Sequence, residues 1–149
     1  MIRYTTQIRV RYRDTDQMGV VYHGVYLEFF ETGRTEFLRD AGMAYSSIEE
    51  TGIMLPVLEA TLTMKRPARY DDLLTVHAII RKMPTARLKI EYEIYRNDEL
   101  LVLGHTSHAF VTANSMRPVR PPQAFVETLA EKMRETEGED RDWTDGHIS

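Results

Sequence analysis

The chain has 149 residues, a formal net charge of -4 and a 42% hydrophobic fraction, which fits one globular domain and excludes a disordered chain. It has no cysteine, which excludes a disulfide framework, thiolate catalysis and a zinc–thiolate site. No basic stripe dominates, arguing against nucleic acid as a main partner, and no apolar run is long enough for a membrane span.

In chain order, Ile8, Val10 and Tyr12 alternate with Gln7, Arg9, Arg11 and Arg13, which predicts a first strand over 5–13. A glycine-containing loop, DTDQMGVVY, follows over 14–22. A long helix is predicted over 24–41, because Val25, Tyr26, Phe29, Phe30 and Phe37 recur at helical spacing. Gly33 lies on much the same face, and a helical glycine costs about 1 kcal/mol relative to alanine, so close approach of a neighbouring element is one reason to keep it. A short helix over 46–50, with Ser46 or Ser47 as N-cap, comes next. Alternation then predicts strands over 58–65, 74–81 and 88–95, and a last, most apolar strand over 100–112. Short links between consecutive strands favour an antiparallel sheet. One long helix on a five-stranded sheet makes an α+β domain. MRPVRPP, 116–122, is a proline-rich break, and Phe125, Leu129 and Met133 predict a terminal helix over 123–134. The domain is expected to span 1–136 and a polar, mobile tail 137–149, with no role readable for Trp143. The N-terminus lacks the apolar core of a signal peptide, so the expected location is the cytoplasm.

The chemistry concentrates before the long helix. Asp16 and Asp14 stand just outside a helix start, where unpaired backbone N–H groups can hold a developing negative charge and a carboxylate can act as base or nucleophile. Asp14 reads as a strand-end residue paired with Arg11 or Arg13, or as a second carboxylate tuning the first. His23 reads two ways: a ring that donates to substrate or orients Asp16, or a packing residue of which only the backbone N–H matters. Tyr22 and Tyr26 hydrogen-bond substrate or pack, with packing favoured for Tyr26. Met18, Gly19, Val20 and Val21 are candidate walls for an apolar group. His105 and His108, three apart in a strand, face opposite ways and cannot share a metal ion. Asp14, Asp16 and His23 make no convincing metal set, so no metal is expected. Two basic clusters, Lys65/Arg66/Arg69 and Arg81/Lys82/Arg87/Lys89, read as solvated strand ends or as docking points for a phosphorylated ligand.

The blocks VRYRDTDQMGVVYHGVYLEFFETGRTEFLR, 10–39, and KRPARYDDLL, 65–74, resemble the hotdog-fold acyl-CoA thioesterases of the 4-hydroxybenzoyl-CoA thioesterase family. More narrowly, they are similar to the small branch associated with the Tol-Pal system. The match covers 5–118, with Asp16, Gly19, His23 and Tyr26 at the family's spacing. The resemblance implies a sheet wrapped around the long helix and hydrolysis of an acyl-CoA, or an acyl-carrier-protein thioester, with no metal or organic cofactor. It implies Asp16 as nucleophile or general base, and the backbone N–H of His23, assisted by Gly24, as oxyanion donor. It makes Glu31 secondary, since a helix glutamate acts mainly where the early aspartate is missing. Lys65, Arg66 and Arg69 become candidates for the CoA phosphates. Homodimers joined sheet edge to sheet edge, often paired into tetramers, would complete the pocket with residues of a second subunit. The alternatives are a hotdog hydratase or dehydratase, and a non-catalytic acyl-thioester-binding module.

Overall fold

A computed structural model describes residues 1–43 and 45–147, with the side chains of 45–47 and 138–147 outside the description. The elements run β1 (Ile2–Arg9), a 3₁₀ turn (Tyr12–Asp14), α1 (Val25–Asp40), α2 (Tyr45–Glu50), β2 (Ile53–Met54), β3 (Val57–Met64), β4 (Leu73–Ile80), β5 (Arg87–Arg96), β6 (Glu99–Ala109), β7 (Val111–Thr112) and α3 (Gln123–His147). Five strands form one antiparallel sheet in the order β1-β4-β5-β6-β3, and β2 pairs with β7 in a separate ribbon. With α1 laid on one face, this is the α+β hotdog arrangement.

Alternation decides which face each strand buries. Leu74, Val76, Ala78 and Ile80 of β4 and Leu88, Ile90, Tyr92 and Ile94 of β5 are all buried towards α1. The ring of Phe30 on α1 stacks on Tyr92 with centroids 4.3 Å apart. Gly33 lets the helix come close: a Cβ there would meet Val76 Cγ1 at 3.1 Å. The glycine expected to serve close approach does so.

Several boundaries differ from the sequence reading. β1 is Ile2–Arg9 rather than 5–13, because the Val10 N–H donates to Asp72 O and the chain leaves the sheet for the 3₁₀ turn. The run predicted as a single strand over 100–112 breaks at Phe110, whose carbonyl accepts the Val119 N–H, and its last residues pair with β2. Its apolar character comes from an interior position between β5 and β3, so it is not a sheet edge. α3 continues to His147, past the end expected at 134, so the backbone of the expected tail is helical that far. The cap expected from Ser46 or Ser47 and the side chain of Trp143 lie outside the described residues. Among the described residues no helix is long and apolar enough to cross a membrane.

Candidate functional site

The loop before α1 is closed by short-range bonds that follow from its composition. Gly19 takes φ +78°, a left-handed conformation that glycine adopts without a side-chain penalty. That turn lets the Gly19 N–H donate to Asp16 O (3.0 Å) and the Asp16 N–H to Val20 O (2.9 Å). The Asp16 carboxylate caps the same turn through Oδ1, which accepts the Met18 N–H at 2.8 Å and the Val20 N–H at 3.4 Å. Its Oδ2 has no partner among the described residues. Asp14 is different: it is buried, and its Oδ2 accepts the backbone N–H of Arg11 at 2.8 Å. The expected pairing with Arg11 is therefore made to that residue's backbone, and of the two carboxylates Asp16 is the exposed one.

The loop is fastened on its far side to the segment before β4. Val20 bridges Arg69, and the Val21 N–H donates to Ala68 O at 2.9 Å. The Ala68 N–H donates to the hydroxyl of Tyr26 at 3.2 Å. Tyr26 is buried, and burial pushes its phenol up from the ordinary value of 10.0. Tyr26 thus ties α1 to the 68–69 segment within the core and presents no surface to a ligand. Val21 is also a core residue, whereas Met18, Gly19 and Tyr22 are exposed and Val20 is half-buried.

The start of α1 leaves donors free. The first bonds run from Val25 N–H to Tyr22 O (2.9 Å), Tyr26 N–H to His23 O (3.2 Å) and Leu27 N–H to Gly24 O (3.2 Å). Among the described residues nothing accepts the N–H groups of His23 and Gly24, as expected at a helix N-terminus. The His23 ring is exposed and lies on Tyr22, with centroids 4.2 Å apart, and it makes no hydrogen bond to Asp16. A Cβ on Gly24 would meet Tyr22 Cε1 at 3.0 Å, so the glycine makes room for that ring.

The cations Lys65, Arg66 and Arg69 are exposed at the same end of the sheet as the loop. Arg66 pairs with Glu99 at 3.3 Å, whereas Lys65 and the Arg69 guanidinium have no ion-pair partner among the described residues. Glu31 is exposed on α1. No group of three or more His, Asp or Glu side chains among the described residues is arranged to hold a metal ion.

Sequence reasoning missed the supports that join distant positions. Arg96 clamps Asp72 and Glu99, each at 2.7 Å, and reaches Pro67 O at 3.4 Å, fixing the base of the 65–72 segment. His105 and His108 do face opposite ways. His105 bonds Thr61 (2.9 Å) and Glu59 (3.0 Å) near the β3 edge. His108 is buried between Thr106 (2.9 Å) and Leu55 O (3.1 Å). Cross-strand partners of this kind depend on register, which no local pattern in the sequence fixes.

The site as a whole places an exposed carboxylate in a hydrogen-bonded turn that leads into a helix start with two N–H groups unpaired among the described residues. A nucleophile or base beside oxyanion donors is the equipment of acyl transfer. The chain is similar to proteins named as thioesterases. The Bacillus subtilis protein YneP is 37% identical over 120 residues, covering 80% of this chain and 87% of that one. The acyl-CoA thioesterase YbgC of Haemophilus influenzae is 34% identical over 121 residues, covering 80% and 89%. The crystal structure of a DHNA-CoA thioesterase from Staphylococcus aureus superposes with a TM-score of 0.82 at 28% identity, covering 100% of this chain and 98% of that one. A family model described as the thioesterase-like superfamily matches residues 10–129, and the chain belongs to that superfamily.

Proposed function

We propose that this protein hydrolyses an acyl-CoA thioester to a free acid and CoA, with Asp16 as nucleophile or general base and the helix start as oxyanion hole. The observation that carries this reading is the division of labour in the Asp16 carboxylate. Oδ1 is held by the turn while Oδ2 is free, on a loop that leads into the unpaired N–H groups of His23 and Gly24. In the reaction, Oδ2 attacks the thioester carbonyl and expels the CoA thiolate to give a mixed anhydride that water then cleaves to the free acid, or it takes a proton from a water that attacks the carbonyl and expels the CoA thiolate directly. Either route puts negative charge on the carbonyl oxygen, where the two N–H groups and the helix dipole stabilise it. The similarity to named acyl-CoA thioesterases supports the same substrate class. An acyl-carrier-protein thioester presents the same reacting bond.

Met18, Gly19, Val20 and Tyr22 would line the acyl group, and Lys65 and Arg69, with Arg66 shared with Glu99, would meet the CoA phosphates. Because Asp16, Tyr22 and His23 are exposed in one protomer, a second copy would cover the acyl group; we read the working form as a homodimer or tetramer. The motif over 10–39 supports a place in the Tol-Pal-associated branch, and the cysteine-free chain suits the cytoplasm. The motif DTDQMGVVYHGVY fits the thioesterase wording better than that of a hydratase or dehydratase, whose acid–histidine pair stands in a different motif.

The test is thiol release from a panel of aliphatic and aromatic acyl-CoAs by wild type and Asp16→Asn. Asn keeps the acceptor that holds the turn and removes the charge, so turnover should fall about a hundredfold or more while folding is kept. Near-normal hydrolysis by the variant would take Asp16 out of the mechanism. Turnover should also survive exhaustive chelation, since the proposed chemistry draws on no metal or organic cofactor. Loss of activity that a divalent ion restores would return Asp14, Asp16 and His23 to consideration as metal ligands.

A further inference from the structure

Both ends of the Asp16 loop hang on one short segment, 68–72. At the entry, the Val10 N–H donates to Asp72 O at 2.9 Å and the Asp71 N–H to Val10 O at 3.1 Å. At the exit, Val20 bridges Arg69 and the Val21 N–H donates to Ala68 O at 2.9 Å. The segment must turn sharply to serve both. Asp71 takes φ +69°, a left-handed conformation uncommon for a residue with a side chain, and the Arg9 guanidinium donates to its carbonyl at 2.8 Å.

Asp72 holds that turn closed. Its N–H donates to Arg69 O at 3.1 Å, and its Oδ2 accepts the Arg69 N–H at 2.8 Å. The same Oδ2 accepts Arg96 Nη1 at 2.7 Å. Arg96 is the last residue of β5, an interior strand of the sheet, and its Nη2 donates to Glu99 at 2.7 Å. The Arg96 and Asp72 side chains are 30% and 22% exposed, so their attraction is only partly screened by solvent. A short path therefore ties the loop to the sheet. It runs from Arg96 to Asp72, from Asp72 to the Arg69 N–H, across the bridge to Val20, and from Val20 O to the Asp16 N–H at 2.9 Å. The unpaired N–H groups of His23 and Gly24 lie just beyond the Val21 anchor.

We propose that Asp72 and Arg96 are positioning residues: their ion pair sets where the Asp16 carboxylate and the helix-start N–H groups stand relative to the thioester. Neither side chain makes a hydrogen bond with Asp16, His23 or Gly24, so the effect is carried by the 68–72 backbone. Such an effect is large in rate, because a misplacement of about 1 Å can cost about a hundredfold. The role rests on Asp16 being the catalytic carboxylate. It belongs to turnover and not to capture of substrate, whereas a cation that met the CoA phosphates directly would act on KM.

The experiment measures kcat and KM for thiol release from the acyl-CoA that wild type turns over fastest, beside hydrogen exchange over 14–22 read by mass spectrometry. Arg96→Met and Asp72→Ala should each lower kcat at least about tenfold and change KM less than about threefold. Combined, they should cost little more than the worse of the two, as partners in one contact do. Arg96→Lys keeps a cation for Asp72, and Asp72→Asn keeps an acceptor for the Arg69 N–H. Each should recover at least about threefold of the kcat lost by its truncation, yet stay at least about threefold below wild type. Glu99→Gln leaves the Asp72 arm in place and should keep kcat within about twofold. Exchange over 14–22 should quicken in Arg96→Met while that over 101–108 stays as in wild type. Circular dichroism melts check the fold, and if a truncation unfolds, the conservative variants carry the test. Wild-type kcat in the Asp72 and Arg96 variants, with Asp16→Asn inactive, would overturn the positioning role alone. A raised KM with kcat kept would overturn it in favour of direct substrate contact. Normal turnover by Asp16→Asn would overturn the reaction-site reading and the positioning role with it.

Discussion

Asp16 does structural and proposed chemical work with different oxygens, and this separates what its substitutions should do. Asn retains an acceptor for the Met18 N–H, whereas Ala removes it and opens the turn. Asp16→Ala should therefore lose activity and also about 1 kcal/mol of stability, while Asp16→Asn loses activity alone. Urea unfolding of both variants checks this; equal destabilisation would mean that the Oδ1 bonds do not hold the loop. Tyr26 gives the converse case, a site-adjacent residue whose expected role is structural. Tyr26→Phe would leave the N–H of Ala68 without its acceptor in a fully buried position. Such an orphan costs about 1–3 kcal/mol, with the larger catalytic effect arising only through displacement of the 68–69 segment. Denaturant midpoints and KM measured together distinguish this from direct substrate contact, which would raise KM without moving the midpoint.

Among the elements, β6 carries the tightest constraints. Gly104 is where β6 passes between Thr61 of β3 and Phe30 of α1; a Cβ there would come to 2.2 Å from Thr61 O and 2.9 Å from Phe30 Cε2. Two residues on, Thr106 begins a buried polar chain. Leu55 O can only accept, so His108 Nδ1 carries the proton and Nε2 accepts from Thr106, whose Oγ1 in turn accepts from Tyr92 at 2.8 Å. Burial, with Arg34 nearby, holds His108 below the ordinary 6.5. The unfolded chain therefore takes up a proton before the folded one does. Stability should be fully present above about pH 6.5 and fall as the pH drops towards the folded value. His77, also lowered by burial and by Arg3, adds to the same slope. His108→Gln should flatten that slope in urea titrations from pH 7.5 to 5, and an unchanged slope would assign it to other groups. β4 and β5 were legible in sequence because one face of each buries against the core and the period of two survives along most of their length, whereas β3 was legible from its alternating residue types although neither of its faces is fully buried. The first strand was misplaced because Val10 and Tyr12 continue the alternation into a 3₁₀ turn, which a period cannot distinguish from a strand. β2 and β7, two residues each, are too short to have a period. The Asp16 turn and the helix start were readable as local chemistry; the Tyr26–Ala68 bond and the Arg96–Asp72 arm of the clamp link residues far apart in the chain and were not.

At the scale of the molecule, the sheet has two edges, and they are treated differently. β1 is backed by α3. β3 has no neighbour on its outer side and exposes Val57, Leu58 and Met64 at 45%, 51% and 54%. An uncovered edge with apolar side chains is a template for association, and a pairing of two such edges closes both. The exposed side chains Met18, Tyr22 and Leu27 beside the Asp16 loop present a second apolar surface that a partner copy would cover. A two-fold pairing would bury both patches of both copies at once, since such interfaces are self-complementary. Lysine on an edge strand is a natural block to pairing, so Leu58→Lys with Met64→Lys should shift the protein to a 17.4 kDa monomer. Both side chains are exposed in the protomer, so the fold should persist and thermal unfolding stay cooperative. Thiol release should nevertheless fall at least tenfold, because the acyl group would lie on an open surface where water competes for every charge-stabilising contact. Sedimentation velocity at sub-micromolar protein, run beside the turnover assay, reads both quantities. A wild-type monomer with full specific activity, or a monomeric variant that turns over normally, would show that one protomer suffices and would detach the β3 edge from the reaction.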